Sequence, residues 1–187
     1  MRLIASLGNP SPKYDGTRHN LGHYCVAKWI ETVSASPINV PRVKQGVYTA
    51  DINGEKTIIA NDLGTYMNET GSVITAVLNF YKIPTKNLIL VHDDTDLPLG
   101  TLRVSKNSAS AGHHGVESVI SALGTKNFTR LRLGIESRTD KLIPPTEDFV
   151  LQKFLPTEIP LAEEMIHRAI AELNKIISEP PLTIIKK

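Results

Sequence analysis

The feature that most constrains this chain is a pair of short, nearly unbroken apolar runs. Residues 2–7 (RLIASL) stop at Gly8-Asn9-Pro10-Ser11-Pro12, and residues 88–91 (LILV) stop at His92-Asp93-Asp94. A strand with one face in water alternates apolar and polar side chains. A strand that is apolar throughout is buried on both faces, inside a sheet covered by helices. The covering helices are legible. Thr17 stands as a cap before a segment carrying Leu21, Cys25, Val26, Trp29, Ile30 and Val33 on one side. Residues 68–81 place Val73, Ile74, Val77, Leu78 and Tyr81 at helical spacing, and Val116, Val119, Ile120 and Leu123 do the same after the small residues of 108–112. Residues 157–177 form a long amphipathic pattern. Asn53-Gly54, between the strand patterns of 47–52 and 56–60, supplies the positive φ angles of a two-residue hairpin turn. Residues 102–104 and 131–135 add two more strands. The order β-α-β-β-α-β-β-α-β-α predicts an α/β, single-domain three-layer fold with a mixed, mostly parallel central sheet flanked by helices. It spans residues 1–187, with a tail from about 179.

Composition agrees. A chain of 187 residues buries about 70% of its unfolded surface and needs no disulfide or structural metal. The single cysteine, Cys25, excludes a disulfide framework or a multi-cysteine metal site, and it falls on an apolar stripe as a small core residue. No apolar run reaches the roughly 18 residues of a membrane span, and MRLIASLGNP lacks the layout of a signal peptide, so an intracellular protein with no membrane partner is expected. The net charge of +2 conceals two basic segments, 1–50 and 97–141, each at +4, separated by 51–96 at −4. If these two converge they form a face that attracts phosphate; dispersed, they are ordinary surface charge.

Ligands of open α/β sheets gather beyond the carboxyl ends of strands. Four loops occupy such places, at 8–18, 64–68, 92–96 and 107–114, and five of the six histidines (His19, His23, His92, His113, His114) lie in or beside them. His19 and His23 have the spacing of a zinc pair, but Asn20 stands where the catalytic glutamate of H-E-x-x-H belongs. His92 to Asp96 with His113-His114 resembles a two-metal phosphoesterase shell, although neighbours on a strand face opposite ways. No G-x-S-x-G elbow and no glycine-rich nucleotide loop occurs. What remains is a histidine near a helix start and an acid at a strand end. Asp93 holding the Nδ1–H of His19 would leave Nε2 free to deprotonate water. A solvated acid and a helix-start histidine are the plainer alternative.

Five blocks in order resemble the bacterial-type peptidyl-tRNA hydrolases. These are Leu7-Gly8-Asn9-Pro10 with Tyr14 and Thr17-Arg18-His19-Asn20-x-Gly22; Tyr66-Met67-Asn68-x-x-Gly71; Val91-His92-Asp93-Asp94-x-Asp96-Leu97-Pro98-x-Gly100; Gly112-His113-His114-Gly115; and Arg130-Leu131-Arg132-x-Gly134-Ile135. The resemblance implies hydrolysis of the ester joining a peptide to the terminal ribose of tRNA, by a cytoplasmic monomer that uses no metal or other cofactor. A mitochondrial location is the counterpart if the source is eukaryotic. It implies that His19 activates water and Asp93 orients its ring. Asn9, Tyr14, Met67, Asn68, His113 and His114 would handle the peptide and the acceptor end, and Arg132 with Lys106 would meet tRNA phosphate. His114 departs from the family's asparagine and Ser105 from its lysine. A one-residue shift turns Lys106 to the other face of its strand. Both departures concern substrate handling. They keep in view a non-catalytic RNA-binding paralogue and, third, a metal-dependent phosphoesterase.

Overall fold

The computed structural model describes residues 1–139 and 144–178, so the predicted tail from about 179 lies outside the described residues. Among these, seven strands form one sheet: β1 (Arg2–Ser6), β2 (Ser36–Pro37), β3 (Val47–Ile52), β4 (Glu55–Ala60), β5 (Leu88–Pro98), β6 (Leu102–Lys106) and β7 (Thr129–Glu136), in the order β2-β3-β4-β1-β5-β7-β6. Neighbours from β4 through β1 and β5 to β7 are parallel. β2 and β3 at one edge and β6 at the other run antiparallel to their neighbours. The predicted three-layer fold is therefore present, with its parallel pairing in the centre. Asn53 and Gly54 close the β3–β4 hairpin with φ of 55° and 80°.

The all-apolar runs became the central strands because both their faces are covered. Ile4, Ile89, Val91, Leu131 and Leu133 pack with Trp29 of α1 (Leu21–Thr32) and Met165 and Ala169 of α5 (Ile159–Ser178). Leu3, Leu88 and Leu90 pack on the other face with Ile74 and Val77 of α2 (Thr70–Phe80) and Val116 and Val119 of α3 (His114–Leu123). A further helix, α4 (Thr146–Val150), is too short to show a period in the sequence.

Two boundaries differ from expectation. β5 does not stop at Val91 but continues to Pro98, because β7 runs beside it and pairs His92 with Arg132, Asp93 with Leu133 and Asp94 with Gly134. Thr17 does not cap a helix through its side chain: its hydroxyl donates to the Tyr14 carbonyl at 2.8 Å. A single 3-10 turn, Arg18–Asn20, precedes α1 instead.

The topology opens the crevice in which the site lies. After β1 the chain enters α1 on one face, whereas after β5 it passes through β6 to α3 on the other. Connections leaving neighbouring strands in opposite directions open a crevice at the carboxyl ends. Gly22 lets α1 close onto that end: a Cβ there would stand 2.6 Å from the Val91 carbonyl oxygen and 2.8 Å from that of Leu7. Neither backbone atom can yield cheaply. Gly22→Ala is expected to cost about 1–3 kcal/mol of stability, read as a fall in Tm of roughly 2–4 °C per kcal/mol at this size. An unchanged melting curve would contradict this account of the α1 seat.

Candidate active site

Three side chains from three elements converge in the crevice. His19 comes from the 3-10 turn ahead of α1, Asp93 from β5, and His113 from the residue before α3. Asp93 is 1% exposed. The Nδ1 of His19 lies 3.0 Å from both its carboxylate oxygens, and the Nε2 of His113 lies 2.9 Å from Oδ1. The two imidazole rings stand 4.9 Å apart.

Acceptor and donor roles fix the protons. A carboxylate only accepts, so His19 donates from Nδ1 and His113 from Nε2. The Nδ1 of His113 accepts the backbone N–H groups of Gly115 and Val116 at 3.1 and 3.3 Å, which makes this side chain the N-cap of α3. His113 is thus held as its neutral Nε2–H tautomer and His19 carries a proton on Nδ1, while the Nε2 of His19 carries no hydrogen bond among the described residues. Burial would raise the pKa of Asp93, but the two imidazoles outweigh it and hold the carboxyl far below the usual carboxylate range. Burial likewise opposes charging His19; the Asp93 charge and hydrogen bond prevail and raise its pKa above 6.5. The arrangement suits a base: one lone pair faces outward, and a carboxylate waits behind to stabilise the imidazolium.

His19, Asp93 and His113 line a cleft of about 460 Å³. The 110–114 loop forms one wall, Asp94 and Asp96 another, and Thr146, Glu147 and Val150 a third. The remaining expected site residues lie around it in different ways. His114, exposed at the first position of α3, lines both this cleft and a shallow groove that contains Asn68. Asn9 is buried; its Oδ1 accepts the Met67 backbone N–H at 3.0 Å, so that oxygen is already used. Met67 is 4% exposed and belongs to the core beside Leu7. Tyr14 is half-buried, with Lys13 over its ring, outside the lining of this cleft.

The expected phosphate pair does not form. Lys106 pairs with Thr129 and Arg132 with Arg103 across β6 and β7, so Lys106 projects from the face opposite Arg132. Arg103, not singled out from the sequence, stands opposite Arg132 on that face, with Arg130 two residues along β7. Arg132 itself is engaged, its Nε donating to Asp94 at 2.5 Å and its Nη2 standing 3.9 Å from Asp96.

Other contributors were missed because their work is to hold neighbouring segments in place. Asn20 clasps Asn9 at both ends, accepting its N–H at 2.8 Å and donating to its carbonyl at 2.9 Å. Arg130 reaches from β7 to the Ser108 hydroxyl and, at 2.8 Å, to the Ala109 carbonyl, tying the 110–114 wall to the sheet. Arg18 lies between the rings of Phe149 and Phe154 and pairs with Glu158 at 2.6 Å, which fixes α4 beside His19. The block Thr17-Arg18-His19-Asn20 carried that signal, but only the histidine's chemistry was readable.

The metal expectations fare differently. His19 and His23 do not form a pair, because His19 belongs to the 3-10 turn and only His23 to the regular helix. Of the other set, only Asp93 and His113 converge, together with His19, their ligand atoms lying within 4.8 Å of one another. Those atoms are already hydrogen-bonded among themselves. A metal on the Nε2 of His113 would require moving its proton to Nδ1, where two backbone donors already point. The set fits proton transfer better than ligation. Cys25 is a core residue as expected, its thiol pushed up to about 12 by burial.

Fold and site together define a three-layer α/β protein in which a buried carboxylate orients an imidazole at the carboxyl end of the parallel strands. Comparison with known proteins narrows this. The sequence model of the peptidyl-tRNA hydrolase family matches residues 3–186. A peptidyl-tRNA hydrolase of Synechocystis is 40% identical over 168 residues, 90% of this chain and 85% of that protein. One from Aquifex aeolicus is 36% identical over 97% of this chain and 92% of its own length. The crystal structure of peptidyl-tRNA hydrolase from Acinetobacter baumannii superposes with a TM-score of 0.80 at 27% identity, covering 94% of this chain and 87% of that one. The chain belongs to the peptidyl-tRNA hydrolase family. Neither the phosphoesterase nor the non-catalytic paralogue is favoured by these matches.

The hydrogen-bond pattern predicts two opposite tautomers. Long-range ¹H–¹⁵N spectra near pH 8 should show His19 protonated at Nδ1 and His113 protonated at Nε2. The same tautomer on both rings would contradict the clamp.

Proposed function

We infer that this chain hydrolyses peptidyl-tRNA, releasing peptide and tRNA, with water activated by His19. The observation that carries the reading is the His19–Asp93 hydrogen bond, at 3.0 Å, with the opposite nitrogen of His19 unpaired beside the cleft. Nε2 takes a proton from water as hydroxide adds to the ester carbonyl carbon. Asp93 stabilises the imidazolium that forms. When the carbon–oxygen bond to the ribose breaks, Nε2–H returns the proton to the departing ribose oxygen. An activated ester needs no covalent nucleophile for this, and base assistance contributes about 10²–10⁴-fold.

Substrate handling in this reading is blind to peptide side chains. The free Nδ2 of Asn9, the Asn68 amide and the α3 N-terminus at His114 offer donors suited to a peptide backbone or a developing oxyanion. Tyr14 and Met67 support the walls rather than touch the reacting atoms. Arg132 keeps N–H groups beyond those turned to Asp94 and Asp96, and Arg103 beside it supplies the second positive charge for tRNA phosphate. In this reading the protein works as a monomer in the cytoplasm. Among the described residues no helix is long and apolar enough to cross a membrane.

The test is cleavage of a short acyl-aminoacyl-tRNA, with free aminoacyl-tRNA as control. His19→Ala is expected to abolish turnover while RNA binding survives, and Asp93→Asn to cost on the order of 10³–10⁴ in rate by releasing the tautomer. Undiminished turnover in the first, or a loss under tenfold in the second, would remove the base assignment.

The pH dependence has a definite sign. The base acts only when Nε2 is unprotonated, and its pKa is raised above 6.5. The kcat/KM profile should therefore fall on the acid side with a midpoint above 6.5, and the midpoint should move down in Asp93→Asn. An acid limb that persists unmoved in Asp93→Asn would assign the titration to another group.

A further inference from the structure

A second cavity, of about 600 Å³, shares no lining residue with the cleft of His19. His23 faces it from α1, one turn beyond His19, and is 9% exposed. Its place depends on Gly8, where a Cβ would stand 2.4 Å from the His23 ring. The protons follow from the partners. Ser6 Oγ lies 2.5 Å from Asn61 Oδ1, an oxygen that only accepts, so the hydroxyl proton is spent there. Ser6 must then accept from the Nδ1–H of His23, 2.8 Å away. The His23 Nε2 is left as a bare lone pair, with no partner among the described residues, on a ring that lines the cavity. Burial pushes the His23 pKa down to about 4, so this lone pair persists at neutral pH.

Everything else charged in the lining is acidic. Asp15 and Asp62 both face the cavity, and neither makes an ion pair among the described residues. Tyr24 and Tyr48 add aromatic walls of the kind that attract cations. An acceptor lone pair, two carboxylates and two rings reject an anion. They do not form a metal cage either: among the described residues the one group of three histidine or acid ligands that converges tightly enough is His19, Asp93 and His113. Acceptors that are spread apart match a ligand that carries its own spread of N–H donors.

We propose that this cavity binds a small organic cation bearing an ammonium or guanidinium group, held between His23, Asp15 and Asp62. Two sources share that chemistry: a free amine, or the ammonium end of a released peptide, the latter resting on the hydrolase reading above. The probe is 1,4-diaminobutane titrated into the full-length protein and followed by amide ¹H–¹⁵N shifts. Saturable shifts are expected at Gly46, Asn61 and Asp62, with none from the uncharged 1,4-butanediol. Asp62→Asn is a safe variant, since Asp62 sits at φ 46°, a conformation asparagine adopts readily. It should weaken binding by about tenfold or more while ester cleavage stays within twofold. Tighter saturation by glycylglycinamide, lost on N-acetylation, assigns the peptide source; the reverse order assigns a free amine, and both support the site. Equal shifts from the diol, unchanged affinity in Asp15→Asn/Asp62→Asn, or tighter saturation by magnesium chloride would overturn it. Cleavage is read separately, so failure of this site leaves the hydrolase assignment standing.

Discussion

The site depends on keeping one carboxylate ionised where water does not reach it. Burying a bare carboxylate costs several kcal/mol even after the surroundings relax. Asp93 meets that cost with two imidazole N–H donors, one from each side of the sheet. Neither histidine is interchangeable with a solvent contact, because each is anchored on its far side by the fold. His19 is seated by the close approach of α1 at Gly22. His113 is locked by the first N–H groups of α3. The crevice exists because the chain leaves β1 and β5 toward opposite faces, and the carboxylate is what makes the two returning histidines converge on one point.

The central sheet was legible because burial on both faces leaves short apolar runs, and their length and the turn residues that end them mark them as strands rather than buried helix. An apolar run of four to six residues has few places to go. The extension of β5 through His92-Asp93-Asp94 left no such mark. Its polarity reads as a loop, and only the neighbouring β7 explains why it stays extended. The phosphate face shows a similar division. Strand alternation already argued against Lys106 beside Arg132, but finding Arg103 opposite Arg132 needed the β6–β7 register, which no local turn sets because α3 lies between the two strands. Asn20, Arg18 and Arg130 were unreadable for a common reason. Each holds other residues in place across long sequence separations, and a single sequence records a residue's chemistry but not its spatial partners.

The walls of the cleft are held by charge more than by packing. Arg130 ties the 110–114 wall to β7, Arg132 restrains Asp94, and Arg18, wedged between two phenylalanines, keeps α4 in place. Guanidinium groups suit this task because their flat faces stack while their edges keep donating. Asp94 and Asp96 crowd the same cleft as Asp93. Arg132 offsets part of their negative charge, its Nε donating to Asp94 and its Nη2 standing near Asp96, so it is a partly buried structural cation rather than a free surface group.

His19 and His23 show how little a spacing means without its backbone. Four residues apart on a regular helix they would share a face. The 3-10 turn ends between them, and the tighter winding before Leu21 sends the two rings into separate cavities. Both donate from Nδ1 and leave Nε2 bare, yet they differ in what stands behind that donor. A carboxylate behind His19 stabilises the imidazolium and raises its pKa. Behind His23 a serine hydroxyl, already committed to Asn61, can do neither, and burial prevails. The same side chain therefore gains proton affinity in one cavity and loses it in the other. The difference lies in the charge of the atom behind the ring.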